Sequence, residues 1–231
     1  MSQFSRHVVQ LLRNVWEGWT SQRDTRRLTQ LGLLNEQFER GQAEAAQKLK
    51  SAYERYIHGV SCSEMAVSWE TACLLYALAG VMRPSEILDL GSGLSSYVLR
   101  TYATEADHTC RVTSVDDDQH WLKQTEAYLS QFALPTDRLL HWDDFCQRLP
   151  AGRFQLVFHD LGNMDTRAMT LPTVLRTLAP AGVLVLDDMH KRRYRRRAEQ
   201  HARQEGWRLL SARAQTLDGI GRFSKIAVRA A

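Results

Sequence analysis

"ILDLGSGLSSY", Ile87 to Tyr97, is an apolar run that closes on an acid, turns through two glycines and resumes as a helix-like segment. From this point strand-like and helix-like runs alternate. The strand candidates are "EILDL" from Glu86, "RVTSVD" from Arg111, "RLLHW" from Arg138, "FQLVFHD" from Phe154 and "GVLVLDD" from Gly182. Helical candidates lie between them, over Ser95 to Thr104, Gln119 to Phe132, Thr166 to Leu178 and Lys191 to Glu205. Strand, helix, strand in strict succession predicts an α/β fold with a doubly wound, mostly parallel sheet and helices on both faces.

The alternation breaks at the end. "WRLLSARA" and "RFSKIAVRA" are strand-like runs separated only by "QTLDGIG", with no room for a helix between them. A parallel crossover needs a dozen or more residues, so this pair reads as an antiparallel hairpin and the sheet should carry one reversed strand.

Upstream of the turn the chain is helical in pattern. Apolar residues from Phe4 recur at Val8, Leu11, Leu12, Val15, Trp16 and Trp19, and a second region carries Leu28, Leu31, Leu34 and Phe38 before the Ala-rich "GQAEAAQKLKSAYERYI". "SCSE", Ser61 to Glu64, offers N-capping hydroxyls to a buried helix, "MAVSWETACLLYALAGVM", that ends near Pro84. The expected organisation is an N-terminal helical extension over 1–60 and one ligand-binding domain over 61–231.

Composition agrees with a folded domain: 44% of the 231 residues are hydrophobic and 24% charged. No apolar run is long enough to span a bilayer, and Arg13, Asn14 and Glu17 interrupt what would be a signal-peptide core, so the expected location is the cytoplasm. Cys62, Cys73, Cys110 and Cys146 are scattered and form no CxxC pair, which argues for reduced thiols rather than a zinc site or a disulfide framework. The net charge is +4, yet "KRRYRRR", Lys191 to Arg197, alone carries six cations. An argument for an anionic partner therefore starts at that run.

In an open parallel sheet ligands bind outside the carboxyl ends of the strands. Gly91 and Gly93 would let backbone approach such a ligand closely. The third glycine of a dinucleotide fingerprint is missing, because Ser96 stands there, which tilts the turn away from a nicotinamide cofactor. The second strand ends at "SVDDD", where Asp116 stands 25 positions after Gly91 and an acid can accept both hydrogen bonds of a ribose diol. The third ends at "HWDDF", so Asp143 or Asp144 could accept from an adenine amine while Trp142 or Phe145 lies against the ring. Each acid also reads as a helix-start residue, but three acid-tipped strands beside one glycine turn favour a nucleoside-bearing ligand.

These motifs in this order, "ILDLGSG", "SVDDD", "HWDDF", "FQLVFHD" and "AGVLVLDDMH" closed by a terminal hairpin, resemble a class I S-adenosylmethionine-dependent methyltransferase from about Ser61 to the C-terminus. The resemblance implies a seven-stranded, Rossmann-like sheet with its last strand antiparallel. It implies that Asp89 and the turn Gly91, Ser92 and Gly93 meet the methionine portion, that Asp116 with Asp117 beside it binds the ribose, and that Asp144 meets the adenine edge. The loop before the first strand adds Ser68 of "EMAVSWE", and Asp160 is a further cofactor or substrate contact.

Methyl transfer from a sulfonium is an in-line displacement, so the protein must position the acceptor and free its lone pair. A hydroxyl acceptor needs a base or a metal. Asp160 ends the fourth strand and Asp187 and Asp188 the fifth, three hard oxygen donors that suit a magnesium ion. They resemble the catechol-type O-methyltransferases, in which an acid and an Asp-Asn pair hold a divalent ion, although here Asp188 stands at the asparagine position. The catalytic candidates are His190 as base, with Asp160 and Asp187; His159 is a second histidine at the same edge. Alternatively Asp187 and Asp188 serve only the positive end of the next helix.

The basic run adds like-charge pairs, Arg192 with Arg196 and Arg193 with Arg197, that Asp187, Asp188 and Glu199 would partly offset. It suits an anionic small-molecule acceptor. An alternative is a nucleic-acid acceptor gripped by residues 191–197 with Tyr194 stacked on a base. Another is a non-catalytic binding or assembly protein on the same scaffold, and a homodimer through the N-terminal helices is a further expectation.

Overall fold

The computed structural model describes residues 18–149 and 151–229. Of the first apolar stripe, everything before Trp19 lies outside the described residues. Helical residues 18–30 (α1) are followed by α2 (Glu36–Lys48), α3 (Lys50–Gly59) and α4 (Trp69–Met82). The alternating part then runs β1 (Glu86–Leu90), α5 (Leu94–Glu105), β2 (Arg111–Asp116), α6 (Gln119–Ser130), β3 (Leu139–His141), α7 (Trp142–Gln147), β4 (Phe154–His159), α8 (Met164–Thr177), β5 (Leu178–Leu186) and α9 (Arg192–Gln204). It closes with β6 (Trp207–Ser211), α10 (Arg213–Thr216) and β7 (Lys225–Arg229).

The strands form one seven-stranded sheet in the order β3-β2-β1-β4-β5-β7-β6. Only β7 runs against its neighbours, pairing antiparallel with both β5 and β6. The expected doubly wound, mostly parallel sheet with one reversed strand is therefore present. Order reverses between β1 and β4, which puts the switch point at the glycine turn.

Three local expectations need correction. The hairpin connection does hold a helix, the single turn α10, because four residues suffice for one turn. "HWDDF" does not end a strand: β3 stops at His141 and Asp143 and Asp144 fall in the first turn of α7. The cap of α4 is Ser68, whose side chain accepts from the Thr71 amide, and not a hydroxyl of residues 61–64.

Period-two alternation divides the strands between two cores. Ile87, Val112, Leu156, Phe158 and Val185 face α4, α5 and α6, together with Leu28, Phe38, Ala45, Leu49 and Tyr56 from the first three helices. Leu88, Leu90, Val115, Val157 and Leu184 face α7, α8 and α9. The N-terminal helices thus share one core with the sheet. Among the described residues no helix is long and apolar enough to cross a membrane, and the four cysteines are free.

At the amino end of the sheet, opposite the glycine turn, Glu86 gathers three arginines. Arg111 lies at 3.1 Å, Arg138 at 3.2 Å and Arg153 at 2.7 Å, each from a different strand or its approach. Burial raises the Glu86 pKa, but Arg153 and its companions override it and hold the carboxyl below the usual range. Glu86→Gln leaves these cations facing one another, and since they are partly solvated the expected loss is about 1–3 kcal/mol in denaturant unfolding. An unchanged unfolding midpoint would contradict this role.

Candidate active site

The glycine turn is organised from below by Asp89, which has no solvent exposure. Its Oδ1 accepts from Ser95 Oγ at 2.8 Å, and its Oδ2 from Ser96 Oγ and from Ser114 Oγ at 2.8 Å. Arg100 donates to Ser114 Oγ at 2.6 Å and to the Pro135 carbonyl at 2.8 Å, so a buried cation stands one hydroxyl away. Burial raises the Asp89 pKa against the pull of the serines, and lowers Arg100 to about 10, still cationic at neutral pH. The reading from sequence sets Asp89 against the ligand; the structure encloses it, so it holds the turn rather than lining the cleft.

Gly91, at φ +90°, packs on the end of β4, where an added Cβ would run into the Asp160 carbonyl. Gly93, at φ +151°, lies under the Tyr56 hydroxyl, which a Cβ would meet at 2.7 Å. Both conformations are ones that L side chains resist. Ser92 donates to Asp116 Oδ2 from its amide at 2.6 Å and from its hydroxyl at 2.8 Å, and Thr125 Oγ1 reaches Ser92 Oγ at 3.1 Å. Asp116 Oδ1 accepts from the Asp118 amide at 3.0 Å. The turn and the end of β2 are thereby locked together, and burial raises the Asp116 pKa.

The other cofactor candidates divide. Asp117 is exposed beside Gly162, and Asp144 is exposed on α7 with Trp142 half-buried next to it. Phe145 is buried against Phe154, which leaves Trp142 as the aromatic side chain a ring could reach. Ser68 is buried and spent on α4, its hydroxyl donating to Thr71 Oγ1 at 3.0 Å.

Across the sheet, Asp160 and Asp188 are brought together by a residue the sequence reading missed. Arg167, on α8, pairs through Nη1 with Asp160 Oδ1 and with Asp188 Oδ2 at 2.9 Å. Asp188 sits at φ +57°, a left-handed position that aspartate tolerates better than most residues. Asp187 turns away, accepting from Ser224 Oγ at 2.8 Å; Ser224 in turn meets Thr71 Oγ1 at 3.1 Å. Burial raises Asp187, and it pushes Asp160 well up despite Arg167. With a guanidinium already between two of the three carboxylates and the third bonded elsewhere, this arrangement does not fit a divalent ion. Among the described residues no group of His, Cys, Asp and Glu is set to hold a metal.

His190 Nδ1 lies 3.4 Å from Asp188 Oδ1, and burial lowers its pKa while Asp188 pulls it back up. His159 is fully buried with Nε2 3.2 Å from Thr170 Oγ1, which removes it as a base for an incoming acceptor. Neither Asp187 nor Asp188 caps α9, whose N-cap is Lys191 without a side-chain bond.

The basic run is resolved by its neighbours. Tyr194 is 2% exposed and points into the core, so it offers no face to a base. Arg197 pairs with Asp165, Arg195 lies 5.8 Å from the Phe223 ring centroid, and Glu199 takes Lys225 at 2.7 Å. The charge of the run is offset from α8, not from Asp187 and Asp188. Lys191, Arg192, Arg193 and Arg196 stay exposed.

Arg100, Tyr56 and Arg222 were also missed. Arg100 left one signal, four positions after Ser96 on the same inner face of α5. Arg222 donates to the carbonyls of Ser63, Glu64 and Ala66 at 2.9, 2.9 and 3.0 Å, a set of main-chain partners no side-chain pattern announces.

Residues 88–189 match the family described as a methyltransferase domain. Among solved structures, the O-methyltransferase TomG of Streptomyces achromogenes, in complex with SAM, is 18% identical at a TM-score of 0.62, over 86% of this chain and 100% of that one. The SAH-bound methyltransferase PaMTH1 of Podospora anserina is 15% identical at 0.60, over 86% and 97%. An O-methyltransferase of Bacillus cereus, in complex with SAH, is 15% identical at 0.54, over 89% and 96%. No curated protein matches the chain. The family match over residues 88–189 and the shared sheet agree in giving this chain the fold of the class I S-adenosylmethionine-dependent methyltransferases.

His159 sets a pH dependence. Burial, helped by Arg167, depresses its pKa to about 3 from an ordinary 6.5, so the unfolded chain binds a proton that the folded one refuses between these values. The stability this contributes is present above 6.5 and is lost as pH falls toward 3, at up to about 1.4 kcal/mol per pH unit. Unfolding free energies at neutral and mildly acidic pH should show a shallower slope in His159→Gln than in the wild type. Equal slopes would rule out this contribution.

Proposed function

We propose that the protein transfers a methyl group from S-adenosylmethionine to a hydroxyl of a small-molecule acceptor. The observation that carries the reading is one sheet edge holding both a glycine turn keyed to Asp116 and, across from it, a histidine backed by a carboxylate, His190 with Asp188. When bound, the cofactor supplies an electrophilic methyl on a sulfonium sulfur that leaves as a neutral thioether.

The chain's own residues supply the rest. The turn at Gly91, Ser92 and Gly93 borders the amino-acid end, Asp116 exchanges its bonds to Ser92 for a ribose diol, and Asp144 with Trp142 takes the adenine. Asp117 and Asp160 border that cleft, and Tyr56 of the helical extension covers Gly93. Through α3 the helical extension thus serves the domain that follows it. His190 Nε2 accepts the acceptor's hydroxyl proton as the oxygen attacks in line, while Asp188 holds Nδ1 and stabilises the imidazolium.

Arg222, whose charge reaches His190, ties the segment of Met65 to that of Ile220, two exposed apolar side chains, which supports an acceptor with an apolar body. Lys191 and Arg192, exposed directly after His190, support an anionic group on it. A nucleic-acid acceptor has less to use, since Tyr194 is enclosed and Arg197 is paired. A purely structural scaffold leaves the His190–Asp188 pairing without a purpose.

Calorimetry with S-adenosylhomocysteine should show binding by the wild type and at least about a tenfold loss in Asp116→Ala, the equivalent of 1.4 kcal/mol. Folded wild-type protein that binds none at millimolar ligand ends the proposal. On a panel of hydroxyl acceptors, His190→Gln should lower kcat by about 10²–10⁴ while leaving cofactor affinity within about twofold. An unchanged kcat would remove His190 from the chemistry.

A further inference from the structure

We infer that Arg167 is the resident cation of this site: its guanidinium takes the place of a divalent ion between Asp160 and Asp188 and acts as a positioning residue for both. The inference deepens the methyl-transfer reading and relies on it only for what the site is used for; the pairing of charges stands without it.

Three carboxylates, Asp160, Asp187 and Asp188, end β4 and β5 side by side, and like charges gathered under low exposure need compensation. Asp187 is satisfied separately by Ser224 at 2.8 Å. For the other two the permanent cation in direct contact is one side chain, 9% exposed, against carboxylates 19% and 20% exposed. Arg167 is held in place from both ends: Nη1 meets the two acids, and Nε donates to the Gly162 carbonyl at 3.2 Å. Its helix begins at Asn163, whose side chain accepts from the Asp165 and Thr166 amides at 2.9 and 3.0 Å, so the first turn that projects Arg167 is itself pinned.

The opposite wall is fitted to it. Asp188 adopts φ +57°, and its two oxygens divide between Arg167 on one side and His190 on the other. Local strain of this kind persists where surrounding contacts over-determine it. A hard divalent ion requires several oxygen ligands converging on one point. Here the point of convergence is filled by a planar donor that cannot lose its charge in any pH range where the protein folds. The same donor sets Asp188, whose other oxygen lies 3.4 Å from His190 Nδ1.

Removing that charge without removing its bulk should turn the carboxylate pair into a divalent site. Thermal unfolding is followed for wild type, Arg167→Met, Arg167→Lys and the double variant Arg167→Met with Asp188→Asn, each in chelator and in millimolar calcium chloride. Calcium calorimetry runs alongside. The wild type and Arg167→Lys should melt at the same temperature in both buffers and bind no calcium. Arg167→Met should melt lower in chelator and recover several degrees in calcium, a gain the double variant loses. An Arg167→Met protein that folds only when calcium is present is the same result in stronger form.

Saturable calcium binding by the wild type overturns the inference. So does Arg167→Met protein that gains nothing from calcium, or that fails to fold even with it, since the ion should replace the missing charge. None of these readings uses cofactor or acceptor. Failure of the wild type to bind S-adenosylhomocysteine would end the methyl-transfer reading and leave this one intact.

Discussion

A carboxylate sealed from water costs several kcal/mol unless donors surround it, and Asp89 meets that condition with three serine hydroxyls drawn from α5 and β2. The constraint propagates. Ser95 and Ser96 can reach Asp89 only if the chain doubles back within a few residues, which demands the turn at Gly91 and Gly93. Ser114 must lie one strand over in register, as the Asp89 to Ser114 pairing of β1 and β2 provides. Arg100 then meets the hydroxyl of Ser114 and holds the loop before β3 through Pro135. One buried acid therefore fixes the shape of the turn, the strand beside it and the loop beyond.

The same physics recurs at two other points, with different partners. At the amino end of the sheet Glu86 is balanced by three arginines, and past β4 and β5 the acids are balanced by one. Where Asp89 takes neutral donors, Asp160 and Asp188 take a permanent cation. Hydroxyls suit a group that must keep a loop rigid. A guanidinium suits acids that face a cleft, because it offsets their repulsion without filling the open side.

How much of this could be read in advance follows from what kind of interaction carries each part. The strands and most helices were legible because burial on both sheet faces writes itself as apolar runs of fixed period, from "EILDL" to "GVLVLDD". The glycine turn and the acids beside it were legible as neighbours because strand ends, glycines and acids are adjacent in sequence. What escaped depends on contacts between distant segments. Arg167 lies in "DTRAMT", where nothing local distinguishes it from a solvated helix residue. Tyr194 lies in a cationic run that suggests exposure, yet α9 turns it inward toward Trp207 and Ala198. The one hint of Arg167 was indirect: an aspartate at 188, where the resembled metal site has asparagine, leaves a surplus negative charge that some cation had to meet.

The family match ends at residue 189, and that limit coincides with a division of labour in the structure. Inside it lie the turn, Asp116, Asp160 and Arg167, which are tied to the sheet by the contacts of β1, β2, β4 and α8. Outside it lie Tyr56 over Gly93, the segment of Met65, His190 and the loop of Arg222. Arg222 spends its guanidinium on three carbonyls of residues 63–66 and on Asp218 at 2.6 Å, so the loop before α4 and the loop before β7 are set relative to each other by one residue. Ser224 and Thr71 repeat the link a layer deeper, joining Asp187 to the start of α4. Rigid coupling of this kind means that the shape of the surface beside His190 is decided jointly by a loop before the sheet and a loop before its last strand.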